Sequence, residues 1–265
     1  MDIFPGFGAW INQNTQQPLR KAESSKKSEK VKSKSASEIN THEERDDTNE
    51  QLKLWRDAEK KAPWHDAPPK VKVATQEGIC VMQMEFTLGL PPQAAYNVLT
   101  NPNNQPYSRN IKKRRLMENI SRKVVSEDEP GPIVEVEKAV PVVWNFLSFP
   151  ISLVFAENRK HHSGVYDKKK IMFMKMFEGH WKVEPVYVDS VRLCKHMKPR
   201  TREEYRKCSG GEGKIASKVT VAGVFQPSSI FNLPPLSWYI RGFTVKTTKT
   251  LLQDFQNLAA SIRGV

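Results

Sequence analysis

Gly210-Gly211-Glu212-Gly213-Lys214 has the glycine density and closing lysine of a loop that wraps phosphate in backbone amides. The fit fails at both ends: Cys208 takes the place of the first glycine, and Ile215 that of the hydroxyl residue that would hold magnesium. Cys194, His196 and Cys208, joined by His180, offer zinc-type donors, but their spacing matches no common tetrahedral site, so neither a metal nor a cofactor is expected. Thr201-Arg202-Glu203-Glu204 reads instead as a capped helical turn in a surface insertion. No nucleophile, base and orienting group stand in a defensible spacing, so the chain reads as a non-enzyme. Acid-base chemistry would need polar groups converging in an interior, and Lys175, Glu135, Glu137 and Tyr166 are the ones to inspect.

Binding is better served. The 265 residues hold 42 Lys and Arg against 29 Asp and Glu, a net charge of +13. The first 50 residues are nearly neutral, with 8 basic and 9 acidic groups, so residues 51–265 carry the excess, 34 against 20. The cluster Lys112, Lys113, Arg114 and Arg115 is the candidate anion-binding element, with Lys168 to Lys170 and the stretch from Lys195 to Lys207 also basic. No aromatic-basic RNA motif or zinc finger accompanies these charges, so an anionic lipid surface suits them better than nucleic acid, and a merely solvated basic surface is the plain alternative.

The elements that must position such groups follow from patterning. Residues 12–50 are polar and charged and cannot offset the entropy of ordering, so residues 1–47 read as a disordered tail whose start, with Ile3, Phe4, Phe7, Trp10 and Ile11, is apolar. Thr48 and Gln51 resemble a capping box, with Leu52, Trp55 and Ala58 at helical spacing, so residues 48–69 read as a lead-in helix and a proline-rich linker. The compact domain is expected over residues 70–265.

Cys80, Met82, Met84, Phe86 and Leu88 alternate with more polar residues, which places five apolar side chains on one face of a strand. Pro91 and Pro92 open a short helix that Asn101-Pro102 stops. Strand-like runs follow from Lys112 to Phe225, separated by turn formers such as Pro130-Gly131, Asp167 and Gly179, and they read as an antiparallel meander. Ile240, Phe243, Thr247, Leu251, Phe255, Leu258 and Ile262 recur at helical spacing within Leu236 to Arg263, one long amphipathic helix. The fold class is therefore α+β, an antiparallel sheet gripping a C-terminal helix.

No run of about 18 apolar residues crosses a membrane, and no secretion signal opens the chain. The three cysteines read as reduced thiols in a reducing compartment, cytoplasmic or nuclear.

The strand Met82 to Leu88 running into Gly89-Leu90-Pro91-Pro92 and on to Asn101-Pro102 resembles the opening of the START-like, birch-pollen-allergen-like superfamily. More narrowly, Leu54-Trp55-Arg56, the run from Asn101 to Arg109, Phe177-Glu178-Gly179-His180-Trp181, Cys194-Lys195-His196-Met197-Lys198-Pro199 and the run from Leu233 to Gly242 resemble a plant-specific family known as domain of unknown function 220. The family resemblance implies a flowering-plant source and no stated activity. The superfamily resemblance implies a cavity between sheet and terminal helix for an apolar or amphipathic molecule such as a lipid, sterol or hormone.

On that layout the adaptable Met82, Met84, Met172 and Met174, with Phe86, are expected to line the cavity, and Phe243 and Thr247 to face it from the helix. Trp144, Phe146, Phe231 and Trp238 lie in apolar loops that would rim its mouth or touch a lipid headgroup layer. Ordinary core packing is the competing account of each. The competing function is a protein- or RNA-interaction module with a closed interior.

Overall fold

The computed structural model describes residues 30–101, 118–128, 130–143 and 147–264. Lys112, Lys113, Arg114, Arg115, Trp144 and Phe146 lie outside the described residues, as does most of the N-terminal tail.

A helix, α1, covers Lys30–Glu59. It begins well before Thr48, over a stretch rich in Lys and Glu, which lose little in a helix. Gln51 is accordingly no cap. Its side chain donates to the Gly213 carbonyl at 3.1 Å and accepts from the Ile215 amide at 2.8 Å.

Eight antiparallel strands form one sheet: β1 (Lys70–Gln76), β2 (Ile79–Leu88), β3 (Glu118–Ser126), β4 (Ile133–Val143), β5 (Leu147–Asn158), β6 (Ser163–Ile171), β7 (Met174–Tyr187) and β8 (Ile215–Pro227). Their order is β1-β2-β8-β7-β6-β5-β4-β3, so the last strand in sequence inserts beside β2. Helix α2 (Pro92–Thr100) follows β2 with proline in its first turn, as expected for a residue whose missing amide costs nothing there. Short helices α3 (Ser190–Leu193) and α4 (Arg202–Ser209) link β7 to β8. Thr201 caps α4 through the Glu204 amide, and the Glu204 carboxylate returns to the Thr201 amide. A 3₁₀ turn, Ser229–Asn232, leads into the closing helix α5 (Leu236–Arg263), which has the bounds its periodicity predicts.

Four features depart from the sequence reading. Strand β1 is absent from that reading: its Lys-Val-Lys-Val alternation belongs to an exposed edge, and its hairpin turns through Glu77 and Gly78 at positive φ. Gly179 does not separate two strands but lies inside β7, where it faces a tyrosine ring. The break falls instead at Met172 and Phe173, between β6 and β7. Finally, the three cysteines are not all thiols. Cys194 and Cys208 form a disulfide with Cα atoms 5.1 Å apart, leaving Cys80 as the buried free thiol. The α3 and α4 segments fold together over Tyr205 and Ile215, a proximity that a separation of 14 residues does not disclose. The cysteine argument for a reducing compartment falls with it.

The main core joins the inner row of β2 to α2 and α5. Here Cys80, Met82, Met84, Phe86 and Leu88 are all at most 4% exposed. At the far end of α5, Arg263 is fixed among acidic and aromatic partners: its guanidinium meets Glu59 and Asp66, donates to the Trp64 carbonyl at 3.1 Å and lies over the Trp55 ring. The C-terminal part of α1 is thereby locked to the end of α5.

Candidate functional site

Because the register of an antiparallel sheet puts directly opposed residues on one face, the side chains that look toward α5 can be read row by row. One row runs Met82, Gly223, Gly179, Tyr166, Phe155 and Val134 across β2, β8, β7, β6, β5 and β4. The next runs Met84, Val221, Trp181, Gly164 and Glu157.

Three glycines in these rows carry aromatic rings above them. A Cβ on Gly179 would lie 2.5 Å from the Tyr166 hydroxyl, and one on Gly223 would also lie 2.5 Å from it. A Cβ on Gly164 would come within 2.8 Å of the Trp181 indole nitrogen. The missing side chains let Tyr166 lie down across two neighbouring strands, which carries its hydroxyl to the middle of the sheet. Tyr166 stacks at tilted angles with Phe155 and Phe177, ring centres 6.0 and 5.6 Å away. Burial pushes its phenol up to about 12, with the nearby Glu178 charge adding to the shift, so it is a neutral hydrogen-bond donor across the ordinary pH range. Among the described residues no group accepts its hydrogen bond.

This aromatic floor is packed differently from the core beside it. The β2 row is sealed, whereas Phe155, Tyr166, Phe177, Trp181 and Val221 are only half-buried. Helix α5 mixes buried and half-buried side chains along its whole length, with Leu251, Phe255, Leu258 and Ile262 half-buried and Ser237 buried. Leu252 and Ala259 toward its C-terminus are 4% and 0% exposed, while Ile240, Phe243 and Thr247 toward its start are half-buried. Apolar side chains of the floor and of α5 are thus only partly covered.

A polar cluster stands at the α2 end of the floor. Tyr96 donates to the Glu157 carboxylate at 3.4 Å, the Arg122 guanidinium approaches the same carboxylate at 4.0 Å, and Tyr96 packs against Trp181 and His162. His162 in turn hydrogen-bonds Gln93 at 2.8 Å. Burial raises the Glu157 carboxyl above its ordinary value, against the pull of Arg122, Arg159 and Tyr96. Burial and the Glu157 charge likewise push the Tyr96 phenol upward.

The residues singled out from sequence fall in several places. Met82, Met84, Phe86 and Met174 fill the sealed core, at 3–4% exposed. Phe243 and Thr247 are half-buried on α5, and Phe231 is half-buried in the 3₁₀ turn. Met172 and Trp238 are 61% and 66% exposed. Of the four polar groups named for acid-base work, only Tyr166 lies under the helix: Glu135 pairs with Lys169 at 2.7 Å on the opposite face, where Glu137 follows it at the same parity, and Lys175 is exposed at a strand irregularity. Glu157 and Tyr96 were missed. The signal for Glu157 was available, since Ile151, Leu153, Phe155 and Glu157 share one parity in a strand.

An antiparallel sheet holding a C-terminal helix, with an aromatic floor beneath that helix, defines a helix-grip protein. Residues 70–265 match the model of the family described as Domain of unknown function DUF220, and the chain belongs to that family. No curated protein matches the sequence. Among solved structures, TTHA0849 from Thermus thermophilus is similar at 12% identity and a TM-score of 0.43, covering 68% of this chain and 97% of its own. The Zhui aromatase/cyclase from Streptomyces sp. R1128 is similar at 8% identity and a TM-score of 0.44, with 68% and 93% covered. A START superfamily protein from Mycobacterium smegmatis has 8% identity and a TM-score of 0.42, with 68% and 97% covered.

Proposed function

We propose that the chain is a non-enzymatic binding module for an apolar or amphipathic small molecule, held between the sheet and α5. The observation that carries the proposal is the contrast in packing. Phe155, Phe177, Trp181, Val221 and Phe243 are only partly covered, next to a β2 row that is closed. Apolar surface left uncovered costs about 25 cal/mol per Å², which an apolar guest recovers on entry. Lining by aromatic and aliphatic groups with few polar ones is the usual make-up of a small-molecule site. Native mass spectrometry of the protein purified from its own source tests this: a co-purifying small molecule released on denaturation is expected, and bare protein with no thermal shift across a lipid and hormone panel overturns it.

The proposal extends to transient contact with anionic membranes. Ile230, Leu233, Leu236, Trp238 and Tyr239 form an apolar stretch at the start of α5, each at least 45% exposed, on a chain segment with a large basic excess. Apolar tips of this kind gain by entering a headgroup layer, and each nearby cation adds about 1 kcal/mol. No helix among the described residues is long and apolar enough to span a membrane. A cytoplasmic or nuclear setting is part of the proposal, and the redox state of Cys194 and Cys208 in the purified protein bears on it.

A further inference from the structure

We infer that the Tyr166 hydroxyl is the polar recognition point of the interior site, and that the ligand class is a neutral, ring-bearing apolar molecule carrying an oxygen acceptor such as a ketone, ether or hydroxyl. The inference rests on the binding proposal above and deepens it.

Three observations carry it. Tyr166 reaches the middle of the sheet only because Gly179 and Gly223 both lack side chains, each leaving 2.5 Å between a would-be Cβ and the phenol oxygen. Either glycine replaced by alanine would lift the ring off the floor, so this placement needs glycine on two strands at once. Secondly, the hydroxyl has no acceptor among the described residues, and its oxygen is not fully enclosed, so a ligand can reach it. A ligand acceptor would supply the missing partner. Thirdly, the walls around it are flat: Phe155 and Phe177 flank the ring at 6.0 and 5.6 Å, and Phe243 looks on from α5. Flat aromatic walls suit a planar guest better than a flexible acyl chain, whose rotamers would have to be frozen.

The other polar groups near the floor are already engaged. Lys168 donates to the Met174 carbonyl at 2.7 Å, and Glu157 is held by Tyr96 and Arg122. A neutral acceptor is served by the Tyr166 hydroxyl alone, whereas a carboxylate would need the Lys168 ammonium as well.

The test uses two fluorescent probes. One is 1-anilinonaphthalene-8-sulfonate, a general reporter of apolar sites. The other is 6-propionyl-2-(dimethylamino)naphthalene, a planar neutral ketone whose emission moves to the red when its carbonyl accepts a hydrogen bond. Wild type should bind both, with the ketone emitting at the red position. Tyr166→Phe should weaken the ketone about fivefold to tenfold, the worth of one hydrogen bond, and shift its emission to the blue. Gly223→Ala, which keeps the hydroxyl but not its place, should lose the same red shift.

Equal ketone affinity and emission in wild type and Tyr166→Phe would overturn the inference while leaving the binding proposal intact. Failure of wild type to bind either probe would overturn both. The fold is its own control: ligand-free Tyr166→Phe should melt no lower than wild type, because the lost hydroxyl had no partner, and a marked drop would assign that oxygen a structural role and sink the inference.

Discussion

The guanidinium of Arg263, in the last turn of α5, closes on the carboxylate of Glu59, in the last turn of α1, with both side chains at most 4% exposed. Asp66 joins from the linker at 3.5 Å and also accepts from the Gly89 amide, while a Cβ on Gly89 would crowd the guanidinium at 2.6 Å. The pair ties the residues ahead of β1 to the end of the chain and to the turn between β2 and α2.

Removing one partner of a buried ion pair leaves the other charge without compensation, at a cost of about 3–5 kcal/mol. Arg263→Ala should therefore lower the unfolding free energy in urea by about 3 kcal/mol or more. A protein begun at Lys70, which deletes Trp55, Glu59 and Asp66 together, should be more unstable still. A loss below about 1 kcal/mol in Arg263→Ala would show that the network is not holding the two ends together.

Glu157 supplies a pH dependence. Burial sets its folded pKa above the ordinary 4.5, so the folded protein holds this proton more tightly than the unfolded chain does. The stabilisation is complete below the unfolded pKa and is lost as pH rises through the folded one. Glu157→Gln should flatten the fall in melting temperature that sets in as pH rises above about 4.5. A steeper fall in the variant would contradict the assignment.

Thiol counting checks the disulfide. With alkylating reagent and no reductant, the native protein should take up no label, because Cys80 is fully buried. After denaturation it should take up one label, and after denaturation with reductant three. Reduction opens a loop closed across 14 residues and should cost about 3 kcal/mol of stability. Three labels without reductant would contradict the pairing.

For the apolar tip, vesicles of mixed phosphatidylcholine and phosphatidylserine should shift Trp238 emission to the blue. Ile230→Ser with Leu233→Ser should weaken partitioning about tenfold or more, from the transfer energy of two aliphatic side chains. An unchanged partition coefficient would remove the membrane from the account.

Periodicity exposed the elements whose burial is one-sided and regular. Helix α5 carries apolar residues every three or four positions and β2 every second, so their faces were readable from the residues alone. Strand β1 escaped because an exposed edge has no apolar face to betray it. Gly179 misled because glycine marks turns and close approaches alike, and only the opposing Tyr166 on β6 tells which applies. The disulfide was hidden for a related reason, since spatial neighbours on α3 and α4 have no shared period in sequence. The methionines chosen for a pocket belong to the sealed core, apart from the exposed Met172, and the half-open floor is aromatic; residue type alone does not separate a filled row from an open one.

The most direct test of a guest space under α5 is a crystal structure collected under xenon pressure, because xenon settles in dry apolar spaces whatever the natural ligand. The account predicts xenon among Phe155, Tyr166, Phe177 and Phe243, between the sheet and α5. Crystals that take up xenon nowhere in that region, with the helix packed closed onto the aromatic floor, would contradict it.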